Sequence, residues 1–238
     1  MKQLSWILLL GLIAAGSTKG QQRNPQPGLP TVGTVSVTEL HLPTAASKEL
    51  RIYQRYFGSG DMQNSARHLE KAIRIYPALP AVHHNLGVCY LRQKKFEKAI
   101  IAFQNASNMD PSLIEPVLGL SAALFLLGRY PQAETAARRA HDMNPGNPSA
   151  CYALGRTLVA EGSDSVETVD LLRTSSAEFP VAHLDLAILL LKRHATQEAA
   201  AELREYLPHS SNAEKASVAC IIEKLTEHLA GSRCVRQQ

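Results

Sequence analysis

The side chains that could support catalysis or metal binding are scattered along this chain. Its 238 residues include nine histidines, and no two of them have the H-x3-H or H-E-x2-H spacing that places two metal ligands on one face of a helix. His83 and His84 are adjacent, so a helix points them about 100° apart, and we expect one to pack and the other to face solvent or a groove. Neither a glycine-rich phosphate loop nor a G-x-S-x-G nucleophile motif is present. We therefore predict no enzyme activity, no metal and no cofactor.

Composition and charge narrow the class of partner. Hydrophobic residues make up 45% of the chain and aromatic residues only 5%, which favours closely packed helices rich in alanine and leucine. The formal net charge is +4, and the basic residues form no stripe. We therefore predict no nucleic-acid partner.

The first 20 residues have the pattern of a secretory signal peptide. Lys2 is followed by the apolar stretch Leu4–Ala15, and the small residues from Ala14 to Gly20 offer a cleavage site. An internal buried helix is the alternative. The stretch is shorter than the roughly 20 apolar residues that a membrane span needs. We predict an exported protein, periplasmic or extracellular, with residues 1–20 removed and no integral membrane span.

Residues 21–44 differ in composition from the rest of the chain. Four prolines and three glutamines lie among them, which favours a disordered or extended linker. Val35–Leu42 is rich in β-prone residues and could form an extended arm.

A periodic motif follows and organises the remaining sequence. Leu86 and Gly87 precede Tyr90, and Ala99, Phe103, Ala106 and Pro111 complete the pattern L-G-x2-Y…A-x3-F…P. Leu154 and Gly155 restore its opening. Pro77 and Pro145 lie 34 residues on either side of Pro111, so the motif predicts further copies at that spacing.

This motif resembles the tetratricopeptide repeat (TPR), a helix–turn–helix unit of 34 residues. The resemblance implies an all-α fold, a right-handed superhelix (α-solenoid) of about five repeats with a concave face that binds a peptide or partner helix. The domain would span residues 45–210, with repeats at about 46–77, 80–111, 114–145, 148–180 and 181–210. Residues 211–238 would form a capping helix and tail, with the helix Ala213–Ala230 ended by Gly231.

Helical periodicity selects the first-helix residues that are not used for pairing within a repeat, and these would line the groove. The lining is apolar with two arginines, and it lacks the lysines and asparagine of the family's pocket for a C-terminal carboxylate. Tyr152 and Phe125 would be its aromatic anchors. The groove residues are His84, Val88, Leu91, Arg92, Leu118, Ala122, Phe125, Tyr152, Arg156, Leu184 and Ile188.

These observations predict an exported scaffold for protein–protein interaction that binds a protein or peptide partner. A structural subunit of an envelope or secretion complex, self-associating through the groove as a homo-oligomer, is the alternative. The arm Val35–Leu42 could also cover the groove. The family context implied by the signal segment is that of small exported bacterial TPR proteins.

Four cysteines leave three possible pairings. In the repeat geometry, Cys89 and Cys151 are separated by a whole repeat, roughly 16–20 Å, which is too far for a disulfide. If Gly231 ends the last helix, the tail could fold back and join Cys220 to Cys234, so this pair is the disulfide candidate. Four reduced thiols, with Cys89 and Cys151 buried as small apolar residues, is the alternative.

Overall fold

A computed structural model describes residues 42–234, and the side chains as far as residue 226. Within this range the chain forms eleven α-helices, one short 3-10 helix and no strand. In chain order they are α1 (Thr44–Gly58), α2 (Met62–Ile75), α3 (Pro80–Arg92), α4 (Phe96–Met109), α5 (Ile114–Leu126), α6 (Tyr130–Met143), α7 (Pro148–Ala160), α8 (Val166–Ser176), α9 (Val181–Lys192), α10 (Thr196–Tyr206), the 3-10 helix Leu207–His209, and α11 (Asn212–Cys234).

The helices follow one another as five pairs and a final helix, which confirms the predicted all-α TPR fold. The described residues belong to two compact units, residues 42–157 and 158–234. The predicted signal peptide, residues 1–20, lies outside the described residues, as does most of the linker 21–44. Of the predicted arm only Leu42 is described, and it packs against the core cluster that includes Leu50, Val82 and Leu86.

The turn between the paired helices has the same backbone conformation in every pair. Gly60, Gly128 and Gly162 have φ between 77° and 87°, a region that glycine enters without steric cost. Lys94 and His194 occupy the corresponding positions with φ of 59° and 60°. In the first four pairs these turn residues are spaced 34 apart, so the turn repeats with the predicted period.

The core of the first unit is arranged around Phe103 of α4. Its side chain is fully buried and lies between two glycines from neighbouring first helices. A Cβ atom on Gly87 of α3 would be 2.6 Å from Cε1 of Phe103, and one on Gly119 of α5 would be 2.5 Å from the same atom. The glycines therefore allow two helices to pack on one aromatic ring. The other motif residues Ala99, Ala106, Leu86 and Leu154 are buried as well.

Tyr90, another motif residue, connects the first two repeats. Its hydroxyl donates a 2.6 Å hydrogen bond to Oε1 of Glu70 on α2. Burial, and then this carboxylate, raise the pKa of Tyr90 above its ordinary value. The tyrosine therefore remains a neutral donor that joins α3 to α2.

The core of the second unit is closed by α11. Val218, Ile221, Ile222 and Leu225 are buried in one cluster with residues of α9 and α10, which agrees with the predicted capping face. The helix does not end at Gly231, as the sequence analysis expected, because its backbone remains helical to Cys234.

The continued helix also corrects the disulfide prediction. Cys220 is exposed and free. Fourteen residues of helix place its Cα about 21 Å from that of Cys234, at about 1.5 Å per residue, whereas a disulfide needs a Cα separation below about 7 Å. The side chain of Cys234 lies outside the described side chains. Cys89 and Cys151 are buried and free, as the alternative of reduced thiols proposed.

Candidate protein-binding surface

Most of the predicted groove residues are buried in the interior. The first helices of successive repeats also contact each other, as α3 and α5 do, and residues left over from pairing within a repeat are covered by the next repeat. The sequence analysis assigned these residues to an open surface because it considered one repeat at a time. The buried ones are His84, Val88, Leu91, Leu118, Ala122, Tyr152 and Leu184.

Two of the buried groove residues have identifiable packing roles. The ring of His84 lies 5.4 Å from that of Phe103, and Tyr152 is fully buried. Tyr152 is therefore a core residue and not an accessible anchor. His83 is buried as well, and its Nε2 donates to the Pro77 carbonyl over 2.9 Å. Both members of the histidine pair are thus buried, where one was expected to face solvent or a groove.

The two groove residues of the second unit belong to its core. Leu184 is buried in the cluster that α11 closes, and Ile188 packs against it while partly exposed. These residues support the capping helix.

Arg92, Phe125 and Arg156 remain accessible in the first unit: Arg92 is exposed, and the other two are partly exposed. Both arginines lie over aromatic rings. Cζ of Arg92 is 4.7 Å from the ring centroid of Phe57, and Cζ of Arg156 is 4.2 Å from that of Phe125. Phe57, Arg92, Phe125 and Arg156 together form what we call the arginine–aromatic face.

Phe57 was not among the predicted site residues. It lies 34 residues before Leu91 and 68 before Phe125, so the three residues occupy the same repeat position at the end of successive first helices. The repeat period alone could have identified it. The sequence analysis passed over it because the first repeat departs from the motif elsewhere.

The chemistry of this face follows from the stacked guanidinium groups. A guanidinium over a ring is held by cation–π attraction and keeps its N–H edges directed outward. Neither Arg92 nor Arg156 forms an ion pair with a carboxylate in the described part of the chain. The face therefore offers two positioned donors beside apolar surface, which is the combination that binds a carboxylate next to an apolar side chain.

Cys89 lies one turn before Arg92 and is unreactive at neutral pH. Burial raises the pKa of the Cys89 thiol to about 12, and the nearby charge of Arg92 opposes this only in part. Burial likewise raises the pKa of Cys151, whose thiol donates to the Pro145 carbonyl. Neither cysteine has the lowered pKa of a catalytic thiolate.

Metal ligands and membrane-spanning segments are both missing from the residues that the structure describes. These residues contain no cluster of three histidine, cysteine, aspartate or glutamate side chains able to hold a metal ion. None of the described helices combines the length and the apolar character needed to cross a bilayer.

Comparison with known proteins agrees with the fold. A human relative, cilia- and flagella-associated protein 70, is 30% identical over 116 residues, which is 44% of this chain and 10% of that protein. The chain thus spans about a tenth of the length of this relative. A MamA structure from Desulfovibrio magneticus RS-1 has a TM-score of 0.64 at 16% identity, covering 70% of this chain and 95% of that one.

A thermophilic TPR protein from Thermus thermophilus has a TM-score of 0.57 at 18% identity, covering 76% of this chain and 99% of that one. At these identities the solved structures establish the fold alone. The family model described as "Protein kinase G tetratricopeptide repeat" matches residues 26–212, which is most of the chain. This chain therefore belongs to the protein kinase G tetratricopeptide repeat family.

Proposed function

We propose that this chain is an exported interaction scaffold whose arginine–aromatic face binds an acidic, partly apolar segment of a partner protein. The observation that carries the proposal is the pair of guanidinium groups stacked on aromatic rings, Arg92 on Phe57 and Arg156 on Phe125. Repeat proteins of this class use extended surfaces for binding, and aromatic and arginine side chains most often carry interface energy.

Two features support an acidic segment as the ligand. Each stacked arginine is already ordered by its ring, so less side-chain entropy is lost when a carboxylate binds. Phe125 also contacts the ring of Tyr130 at 5.4 Å between centroids, which holds it in place under Arg156. An acidic residue flanked by an apolar one would meet both kinds of surface.

The export part of this proposal depends on the sequence of residues 1–20, with its lysine, short apolar stretch and small residues. Periplasmic or extracellular location follows from it and has its own test in the Discussion.

Capture from an envelope extract on the immobilised full chain tests the scaffold role. We expect specific proteins to be retained by the native chain and lost from Phe57→Ala/Phe125→Ala, since this variant removes the rings under both arginines. Ile75→Ala/Met109→Ala is the matched control, because it removes two exposed apolar side chains at the ends of α2 and α4 and should retain the same proteins. Equal capture by the aromatic variant would contradict the proposal.

Light scattering on the same samples addresses self-association. We expect a monomer whose mass is independent of concentration. A concentration-dependent oligomer that Phe57→Ala/Phe125→Ala dissociates would favour the structural assembly subunit, with a second copy of the chain occupying the face.

A further inference from the structure

The second helices of the first unit border a cleft on a different surface from the arginine–aromatic face. It lies between α4 and α6, with α5 as its floor, and has a volume of about 390 Å³, within the range of about 300–1,000 Å³ typical of ligand sites. None of the residues that line it belongs to the arginine–aromatic face. We call it the α4–α6 cleft.

The floor of the α4–α6 cleft is apolar. Val117, Leu120 and Leu124 of α5 follow one another at helical spacing along it, and Ile100 of α4 and Ala136 of α6 close its sides. These side chains are buried or partly exposed, so the floor is part of the core that ends at an open surface. Such a floor accepts large apolar side chains.

The rim of the cleft is polar and positively charged. Arg129 and Arg139 contribute its charges, and the lining includes no acidic residue. Both arginines are exposed, and neither pairs with a carboxylate in the part of the chain that the structure describes. The nearby Glu134 accepts a hydrogen bond from Arg138 over 2.7 Å and is thereby neutralised. The rim therefore complements a negatively charged ligand.

The spacing of the two arginines limits the shape of that ligand. Arg129 stands at the start of α6 and Arg139 ten residues later, so their Cα atoms are about 15 Å apart along the helix axis at about 1.5 Å per residue. A guest helix places residues eleven apart on one face, about 16 Å from each other. Apolar residues between them, on the same face, would point at the floor.

An exposed isoleucine extends the apolar surface beside the cleft. Ile101 of α4 is 59% exposed and lies three residues before Gln104, a rim residue. Exposed apolar side chains of this size next to a cleft mark interaction sites more often than isolated surface positions do.

We propose that the α4–α6 cleft is a second docking site, which binds an amphipathic acidic helix of a partner protein. The apolar residues of the guest contact Val117, Leu120 and Leu124, and its carboxylates pair with Arg129 and Arg139. A scaffold with two such surfaces can hold two partner segments at once.

The probe for this site is a stapled twelve-residue helix with glutamates at its first and twelfth positions and leucines at its fifth and eighth. Binding to the full chain is measured by fluorescence anisotropy. We expect Arg129→Glu/Arg139→Glu to weaken binding at least about tenfold, because reversed rim charges repel the glutamates. Replacing both glutamates of the probe by lysines should weaken binding to the native chain by a similar factor.

Two variants serve as matched controls. Arg67→Glu/Arg74→Glu changes two exposed arginines of α2 and carries the same net charge as the cleft variant, so binding should stay within about twofold. Arg92→Glu/Arg156→Glu should also retain the probe.

The proposal is overturned if the native chain does not bind the acidic probe, or if the lysine probe binds as tightly. It is equally overturned if Arg129→Glu/Arg139→Glu binds as the native chain does. Loss of binding only in Arg92→Glu/Arg156→Glu would overturn it too, since the probe would then occupy the arginine–aromatic face.

Discussion

At the scale of single residues, the packing of Phe103 against two glycines decides how closely the first helices approach. The motif predicted Gly87 and Phe103, since both lie in one repeat. Gly119 was not predicted, because its contact is with the Phe103 of the preceding repeat and a motif confined to one unit contains no such information.

We predict that Gly87→Ala destabilises the protein by about 1–3 kcal/mol. The new Cβ would lie 2.6 Å from the buried ring of Phe103, and overpacking of this kind outweighs the gain of about 1 kcal/mol in helix propensity. Gly58→Ala is the control: it is exposed at the end of α1 with no atom within 4 Å of the new Cβ, and it should stabilise by up to about 1 kcal/mol. Denaturant unfolding measures both, and equal effects of the two variants would contradict the packing argument.

An ion pair in the first repeat predicts a pH dependence. Nδ1 of His68 donates to Oε2 of Glu49 over 2.6 Å, and this hydrogen bond is the main reason why the pKa of Glu49 is lowered. A lowered folded pKa gives stability that is present above the ordinary value of about 4.3 and is lost as the pH falls through the folded pKa.

The native protein should therefore be more stable than Glu49→Gln at pH 6, and the difference should shrink as the pH falls from about 4.3. Unfolding free energies between about pH 3 and 7 test this, with the exposed Glu205→Gln as control. A difference that is constant over this range would show that the pair does not act through the ionisation of Glu49.

The residue scale also shows where the sequence failed to identify the site. The types of Arg92, Phe125 and Arg156 and their helical phase were sufficient to place them on a surface. Tyr152 has the same apparent phase, yet it is fully buried, because burial depends on contacts with other repeats that the sequence does not specify.

At the scale of helices and turns, the 34-residue period predicted most of the fold. Small residues, prolines and turn glycines recur at that spacing, so the existence and order of the helices could be predicted. The end of α11 could not, because a glycine costs a helix only about 1 kcal/mol, and Gly231 lies inside a helix that continues to Cys234.

The turns give a paired prediction. Lys94 has φ of 59°, which strains an L-residue by roughly 1–2 kcal/mol, so Lys94→Gly should stabilise the protein by up to about 1 kcal/mol after the entropy cost of glycine. Gly128→Ala, at φ 77°, should destabilise by about 1–2 kcal/mol.

Lys95→Gly serves as the control for the lysine change. Lys95 has φ of −90°, which relieves no strain, and glycine there should destabilise slightly. Thermal unfolding of the three variants is the measurement. Destabilisation by Lys94→Gly would show that the left-handed turn carries no strain.

At the scale of the whole molecule, family and fold agree with the repeat motif, while location is a matter for experiment. We predict that the exported protein lacks residues 1–20, because a lysine, a short apolar stretch and small residues precede Gln21. Intact-mass analysis of the protein recovered from the periplasm or medium gives the answer, with total cell extract as control. A mass that includes Met1 to Gly20 would contradict export by signal cleavage.

The central claim is that the arginine–aromatic face holds a partner's acidic segment. The most direct measurement is the dissociation constant of the captured partner's shortest binding peptide for the native chain and for Arg92→Glu/Arg156→Glu, with Arg67→Glu/Arg74→Glu matching the net charge. We predict binding at least about tenfold weaker for the first variant and within about twofold of native for the second. Dissociation constants within about twofold for all three chains would contradict the claim.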